Sequence, residues 1–379
     1  MNILKAKQKL LRNAEAGNST LLVSGSGMGK SQICYQAFRE FAAARPTKKC
    51  GYGQIFAATQ TPPDLIGYQF KGEKQFDYGN GEIKTLTVTD PSVPLWMISD
   101  EGKPAFMYDY FWLTIDEYGQ GEAETKRALA EILLNGGTSP WYLPPGSPRV
   151  AASNEGSRYG VTKDFDFCIS RRTKIVIVGD VEVTVNHWDK NYFYQGETWQ
   201  VSPFLKAWAH RHPEILFETE PKEQGPWCNP RTALSVDRYL QVEARHNNGA
   251  FPTDSDTLEV VAGTVGMAAA SSIIGDLQFR LELPSYDEVI ADPSNTPVPS
   301  KADLMLLMTY ELAGHCKVEH LAECLTYMKR LAAKAKDMEV TFISALLRRD
   351  YKGVISQPAM QAWISKNANL VTIIASLAQ

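Results

Sequence analysis

Cysteine is scarce in this chain, with six residues among 379. Except for Cys316 and Cys324 the cysteines lie far apart, a usage that indicates a reducing compartment and not a disulfide framework. The N-terminal stretch MNILKAKQKLLRNAEAG is charged and amphipathic and lacks the apolar core of a signal peptide. We therefore expect a cytoplasmic protein.

Long apolar runs are also missing. Residues 260–275 carry no charge, but they fall short of the ~20 apolar residues that a bilayer requires. They are rich in Gly, Ala, Ser and Thr, which permit close packing of a soluble helix. We expect no membrane association.

Neither sign of charge dominates, because 39 Lys and Arg stand against 43 Asp and Glu, for a net charge of −4. This balance argues against a pervasive basic surface for nucleic acid and leaves open only a local groove or pore. At roughly 100–200 residues per domain, the length predicts two or three domains.

In the first half, short apolar runs alternate with helical patterns. The runs predict strands at residues 20–24, 54–58, 110–115, 149–153 and 174–178. Residues 31–44 and 122–134 between them have the periodicity of amphipathic helices. Strands that are buried on both faces and separated by helices predict a mostly parallel, three-layer α/β sheet.

The remaining chain divides into an insertion and a helical second half. The polar, Gly-rich stretch between Tyr68 and Asp90 predicts a β-hairpin turning at Asn80-Gly81. Its residues 70–84 have two possible roles. They line a ring pore or contact a client, or they form a solvated loop. The Pro-rich residues 283–300 indicate a further boundary. We predict an α/β domain at 1–180, a helical lid at 181–285 and a C-terminal helical region at 286–379.

A glycine-rich turn follows the first predicted strand and precedes a helix, in the stretch LLVSGSGMGKS. Its glycines let backbone N–H groups face inward, and the helix adds the positive end of its dipole, so the loop suits a polyphosphate. Lys30 would reach the β- and γ-phosphates, and the Ser31 hydroxyl would bind Mg²⁺. The predicted nucleotide-binding residues are Gly25, Ser26, Gly27, Met28, Gly29, Lys30, Ser31 and Gln32.

Two acids end a later strand, in FWLTIDE at residues 111–117. Successive strand residues point to opposite sides, so Asp116 would hold the Mg²⁺ shell while Glu117 polarises the attacking water. Asn154 directly follows the next predicted strand. If that strand neighbours Asp116, Asn154 could orient the water or sense the γ-phosphate.

Taken together, these segments resemble the MoxR-like branch of the AAA+ ATPases, and within it a subgroup of phages and bacteria. The resemblance covers roughly residues 18–300. It is carried by SGSGMGKS at 24–31, DLIG at 64–67, IDEYGQGEAETKRALAEILLNGG at 115–137, AASNEGSRYG at 151–160, CNPRT at 228–232 and AGTVGMAAA at 262–270.

The resemblance implies an AAA+ fold and roles for further residues. Asn154 matches the first sensor, and Arg231 resembles the second sensor, which reaches the γ-phosphate of its own subunit. Arg171 stands where the family has an arginine finger for the neighbouring subunit's ATP, with Arg172 as its rival. Ser24 departs from the usual Gly, and Tyr118-Gly119-Gln120 departs from the usual Ile-Asn-Arg.

The implied activity is hydrolysis of Mg²⁺-ATP at the subunit interfaces of a hexameric ring that remodels or activates a partner protein in the cytoplasm of a bacterium or phage-infected host. Family precedent makes a von Willebrand A-type protein the leading partner. Two alternatives remain, a nucleotide-gated scaffold with little turnover and a ring that translocates nucleic acid.

His315, Cys316, His320 and Cys324 are residue types that can bind zinc and lie close together in the sequence. Positions 316, 320 and 324 would fall on successive turns of one helix and spread over about 12 Å, so Cys316 and Cys324 are expected to be buried small hydrophobic residues. The segment WAHRHPEILF around Trp208 is expected to pack in a core.

Overall fold

The computed structural model describes residues 1–79, 81–154, 172–189, 192–194, 197–217, 225–280 and 282–367. The contacts separate two compact units, Met1–Gly179 and Asp180–Gln379. The predicted division of the helical half at residue 285 stays a prediction.

The first unit alternates strands and helices. Its helices are α1 (Ile3–Glu15), α2 (Lys30–Ala43), α3 (Pro62–Ile66) and α4 (Ala123–Asn135). Its strands are β1 (Thr20–Ser24), β2 (Cys50–Phe56), β3 (Gln69–Asp77), β4 (Ile83–Pro91), β5 (Tyr110–Asp116), β6 (Gly137–Thr138), β7 (Trp141–Tyr142), β8 (Arg149–Asn154) and β9 (Thr173–Val176).

Five of these strands form a parallel sheet in the order β2-β5-β8-β1-β9. Strand β8 lies between β5 and β1, and the register places Ser24 opposite Asn154. Because all five strands run the same way, their carboxyl ends share one edge of the sheet. The ends of β1, β5 and β8 are therefore neighbours.

Both faces of the sheet are buried, as a parallel sheet requires. Alternate residues of β1 point to opposite faces, with Leu22 on one side and Leu21 and Val23 on the other. The first core combines α1 and α2 with the sheet through Leu10, Leu22, Ile33, Phe41, Tyr52, Trp112 and Ile175. The second combines α4 with the sheet through Leu21, Val23, Leu113, Ile115, Leu129, Ile132 and Leu133.

The predicted three-layer α/β core is thus confirmed, and it is consistent with the AAA+ fold class that the resemblance implies. Strand β2 differs most from its prediction, because it begins at Cys50 and ends at Phe56. Glycine is depleted in strands, so Gly51 and Gly53 make the first part of this strand hard to predict from sequence. A Cβ at Gly51 would lie 2.8 Å from the Tyr108 ring, and one at Gly53 would lie 2.6 Å from the Phe111 ring, so both positions need glycine for close packing.

The predicted insertion is a long antiparallel hairpin of β3 and β4, with Phe76 opposite Lys84 near its tip. Asn80 of the predicted turn lies outside the described residues. The hairpin leaves the core at Gly67, which has φ of 96° and ψ of 143°.

The second unit is mainly helical, as expected. Its helices are α5 (Val181–Trp188), α6 (Pro203–Arg211), α7 (Pro213–Leu216), α8 (Pro230–His246), α9 (Ser255–Val265), α10 (Met267–Arg280), α11 (Tyr286–Ala291), α12 (Ala302–His315), α13 (Leu321–Ala332), α14 (Asp337–Arg349), α15 (Tyr351–Ile355) and α16 (Pro358–Lys366). Strands β10 (Tyr192–Tyr194) and β11 (Glu197–Trp199) form a small antiparallel pair.

Among the described residues of this unit, helix α12 contributes to two hydrophobic cores. Its Leu307 and Tyr310 pack in the core that contains the buried Trp208, whose predicted core position is confirmed. Met308 and Leu312 of the same helix pack in the other core, which is formed with α13 and α14. Cys316 and Cys324 are buried in that second core, in accord with the expectation.

The uncharged segment 260–275 is not one helix, contrary to the sequence-based expectation. Gly266, with φ of 81°, ends α9, and α10 begins at the next residue. A Cβ at Gly266 would lie 2.8 Å from the Pro226 carbonyl oxygen, so close backbone packing explains the glycine and the break. Within the described ranges, no helix has the length and apolar character needed to cross a membrane.

Gly67 provides a test of how the hairpin joins the core. Its backbone conformation is accessible mainly to glycine, and an added Cβ would lie 2.2 Å from the Ser92 carbonyl oxygen. We expect Gly67→Ala to lower the free energy of unfolding of the first unit by about 3 kcal/mol. Differential scanning calorimetry measures the change.

The matched control is Gly79→Ala, because Gly79 also has a positive φ, 85°, but nothing lies within 4 Å of its added Cβ. This substitution should cost only about 1 kcal/mol. Equal losses for the two variants would show that the Ser92 contact is unimportant.

Candidate functional site

The loop between β1 and α2 is shaped by two glycines. Gly27 and Gly29 have φ of 73° and 81°, in the left-handed region that favours glycine. Helix α2 begins immediately after Gly29 and has no side-chain cap there. The first N–H groups of a helix lack partners within the helix, so this terminus is suited to an anion.

Lys30 is the first residue of α2, and its side chain is held inside the loop. Its Nζ lies 2.8 Å from Asn154 Oδ1, 2.9 Å from the Gly25 carbonyl oxygen and 3.0 Å from Ser24 Oγ. Only 8% of Lys30 is exposed. The ammonium therefore connects the loop to the end of β8, and Ser24, the departure from the usual glycine, supplies one of its acceptors.

Asp116 ends β5 beside this loop and is held from several directions. Ser31 Oγ donates to Asp116 Oδ2, and Gln54 Nε2 donates to the same oxygen at 3.2 Å. The Glu117 N–H donates to Oδ1 at 2.9 Å. Asp116 is 7% exposed. A hydroxyl and a carboxylate are thus in contact at one edge of the sheet.

Glu117 follows the strand in a left-handed conformation, with φ of 52° and ψ of 31°. The strand ends at Asp116, so the alternation expected from sequence does not extend to Glu117. The two carboxylates are separated by a backbone turn and not by the pleat of a strand. A non-glycine residue in this region is uncommon and costs conformational energy, a feature that concentrates at functional sites.

The structure brings most of the predicted residues of the first unit together. Lys30, Ser31, Asp116 and Asn154 meet through the contacts above, and β8 does neighbour β5, as the interpretation of Asn154 required. The loop residues are Gly25, Ser26, Gly27, Met28 and Gly29, and Gln32 is exposed in the first turn of α2.

Of the two candidate finger arginines, Arg171 and Arg172, the structure describes one. Arg171 lies outside the described residues. Arg172 packs within its own unit, where its Cζ lies 5.0 Å from the ring centroid of Tyr118. Lys126 Nζ lies 5.4 Å from the same centroid, and Tyr118 is buried. Tyr118, one of the three residues that depart from the resemblance, is therefore an aromatic partner for cations.

Arg231 lies in the second unit, in the first turn of α8. Asn229 caps this helix, because its Oδ1 accepts from the N–H groups of Arg231 at 3.0 Å and Thr232 at 3.1 Å. Pro230 occupies the first helical position, which proline favours. The Asn-Pro pair thus starts the helix and leaves the Arg231 side chain exposed in its first turn.

Sequence reasoning missed a group of polar residues beneath Asp116. Gln54 contacts Asp116, and the Tyr52 hydroxyl lies 3.5 Å from Gln54 Oε1. Burial raises the pKa of the Cys34 thiol, and the negative charge of Asp116 raises it further, so Cys34 stays protonated at neutral pH. A Gln in the otherwise apolar and glycine-rich strand CGYGQIF was the one available signal.

No protein-family model and no curated protein sequence matches the chain. Among solved structures, the ORC2 protein of Aeropyrum pernix, described in ADPNP-ADP complexes, matches 96% of this chain and 93% of its own, with 11% identity and a TM-score of 0.40. NtrX from Brucella abortus matches 91% and 67%, with 15% identity and a TM-score of 0.39. NtrX in complex with ADP matches 93% and 68%, with 14% identity and a TM-score of 0.36. Similarities this weak do not establish the activity of this chain.

Proposed function

We propose that this chain is a MoxR-like AAA+ ATPase that binds and hydrolyses Mg²⁺-ATP. The observation that supports this most is the pair of contacts made by the first two residues of α2, because Lys30 contacts Asn154 and Ser31 contacts Asp116. A buried ammonium beside a helix N-terminus fits the β- and γ-phosphates of a nucleotide. In this proposal, phosphate oxygens replace the loop oxygens that now surround Lys30.

The donor set suits a magnesium ion. Ser31 Oγ and Asp116 Oδ2 are hard oxygen ligands, already in contact, and Mg²⁺ prefers such ligands together with water and phosphate oxygens. Bound there, Mg²⁺ would neutralise charge on the β- and γ-phosphates.

Glu117 and Asn154 are the proposed hydrolytic residues. The left-handed turn at Glu117 presents a carboxylate next to Asp116, where it can polarise the attacking water. Asn154, at the end of β8, contacts Lys30 through Oδ1 and has an amide NH₂ that can donate to the water or to the γ-phosphate. Arg231 is proposed to act as the second sensor.

We further propose that the chain forms a homo-oligomer, with a hexameric ring as the leading form. This assembly acts on a protein client in the cytoplasm. A von Willebrand A-type protein is the first client to test, on the strength of the resemblance alone. The arginine finger is assigned to Arg171, since Arg172 already packs on Tyr118 of its own subunit.

The first test replaces the proposed water-activating acid. Glu117→Gln should leave Mg²⁺-ATP binding within about twofold and lower phosphate release by about 10²-fold or more, because general-base assistance contributes at least that much. Binding is measured by calorimetry and turnover by a phosphate-release assay, with and without the client. Glu122→Gln, which changes an exposed acid five residues away, should change neither.

Undiminished turnover by Glu117→Gln would defeat the assignment of Glu117. A wild-type chain that binds ATP but releases no phosphate, with or without client, would favour the nucleotide-gated scaffold. Stimulation by nucleic acid that weakens steeply with salt would favour the translocating ring.

The second test concerns the arginine finger. Arg171→Ala should lose ~10³-fold or more in turnover, because an arginine supplied in trans is worth ~10³–10⁵ in related hydrolases. Mixing Arg171→Ala with Lys30→Ala subunits should restore part of the activity, since each Lys30→Ala subunit still offers its finger to a neighbour. Phosphate release is measured on the mixture, and light scattering verifies assembly.

Arg172→Ala is the discriminating control. Because its aromatic partner Tyr118 lies in the same subunit, mixing with Lys30→Ala subunits should not restore any activity that it loses. Assembled mixtures in which Arg172→Ala recovers and Arg171→Ala does not would reverse the assignment.

A further inference from the structure

Gln54 is a polar residue in an unexpected place. The register pairs Gln54 with Thr114 and Phe56 with Asp116 across β2 and β5. Gln54 is therefore the diagonal neighbour of Asp116 on the same face of the sheet, a separation that a long side chain can span.

The contacts show which way the Gln54 amide faces. Gln54 Nε2 donates to Asp116 Oδ2 at 3.2 Å, so the NH₂ end of the amide faces the carboxylate. The other end, Oε1, lies 3.5 Å from the Tyr52 hydroxyl, which can donate to it. Burial raises the pKa of Tyr52, so this hydroxyl keeps its proton at neutral pH.

The two side chains that donate to Asp116 Oδ2 differ in how a metal would affect them. Ser31 is itself a proposed magnesium ligand, so its hydroxyl oxygen would bind the ion as well as contact Asp116. The NH₂ group of Gln54 has no acceptor to offer a cation, and its side chain is carried by edge strand β2, whose pairing with β5 sets the position of Gln54 relative to Asp116.

We propose that Gln54 is a positioning residue that orients Asp116 for the magnesium ion of the bound nucleotide. It holds Oδ2 in place while Ser31 engages the ion, so that the carboxylate does not turn away. This inference rests on the proposed function, because it assigns Gln54 a part in the same metal site. Residues that orient metal ligands in this way commonly change metal affinity when they are removed.

The test separates metal binding from nucleotide binding and from folding. Gln54→Leu removes the donor and keeps a similar volume. We expect Mn²⁺, as a spectroscopic substitute for Mg²⁺, to bind about 10-fold more weakly to this variant in the presence of a non-hydrolysable ATP analogue. Electron paramagnetic resonance measures the free Mn²⁺.

Nucleotide affinity in EDTA should stay within about twofold of wild type, because the contacts of Gln54 are to Asp116 and Tyr52 and not to the loop residues that surround Lys30. The thermal unfolding midpoint should also stay close to the wild-type value. Gln75→Leu, an exposed glutamine on β3, is the matched control and should change none of these readouts.

An unchanged Mn²⁺ affinity in Gln54→Leu would overturn the inference. So would parallel losses of metal affinity, nucleotide affinity in EDTA and thermal stability, which would mark Gln54 as merely structural. A wild-type chain that binds no Mn²⁺ with the analogue would overturn the proposed function, and this inference with it.

Discussion

The buried ammonium of Lys30 is the charge around which the first unit is arranged. It lies at the amino end of α2, where the helix dipole is also positive, so the helix itself does not stabilise it. Burying an uncompensated charge is costly, and oxygens of Ser24, Gly25 and Asn154 offset that cost. Because the Lys30 ammonium and the positive end of the helix dipole lie together, an anion that binds there is stabilised by both.

The site residues are brought together by one rule, that parallel strands end at the same edge of the sheet. Strand β1 delivers the loop, β8 delivers Asn154, and β5 delivers Asp116. Apolar residues above and below the sheet fix the positions of these ends, because Leu22 packs on one face and Val23 on the other. A substitution in either core would therefore shift the strand ends that carry the site residues.

Much of this could be predicted from sequence, because the relevant strands are apolar runs that end next to glycine, an acidic residue or asparagine. The loop at 25–29 and the ends of β5 and β8 are of that kind. Gln54 could not be predicted, since its meeting with Asp116 depends on the register of strands far apart in the chain. The same holds for Arg172 over Tyr118. The left-handed turn at Glu117 could not be predicted, because glutamate is not among the residues that favour this conformation.

Lys30 is placed to bind the phosphates of a nucleotide. Calorimetry of Mg²⁺-ATP binding to the wild-type chain and to Lys30→Met, which keeps the length of the side chain and removes its charge, tests this directly. We expect a binding heat for the wild type and an affinity that is ~30-fold or more weaker in the variant. Absence of binding to the wild type, or equal binding to both proteins when both are folded, would show that Lys30 does not bind the phosphates.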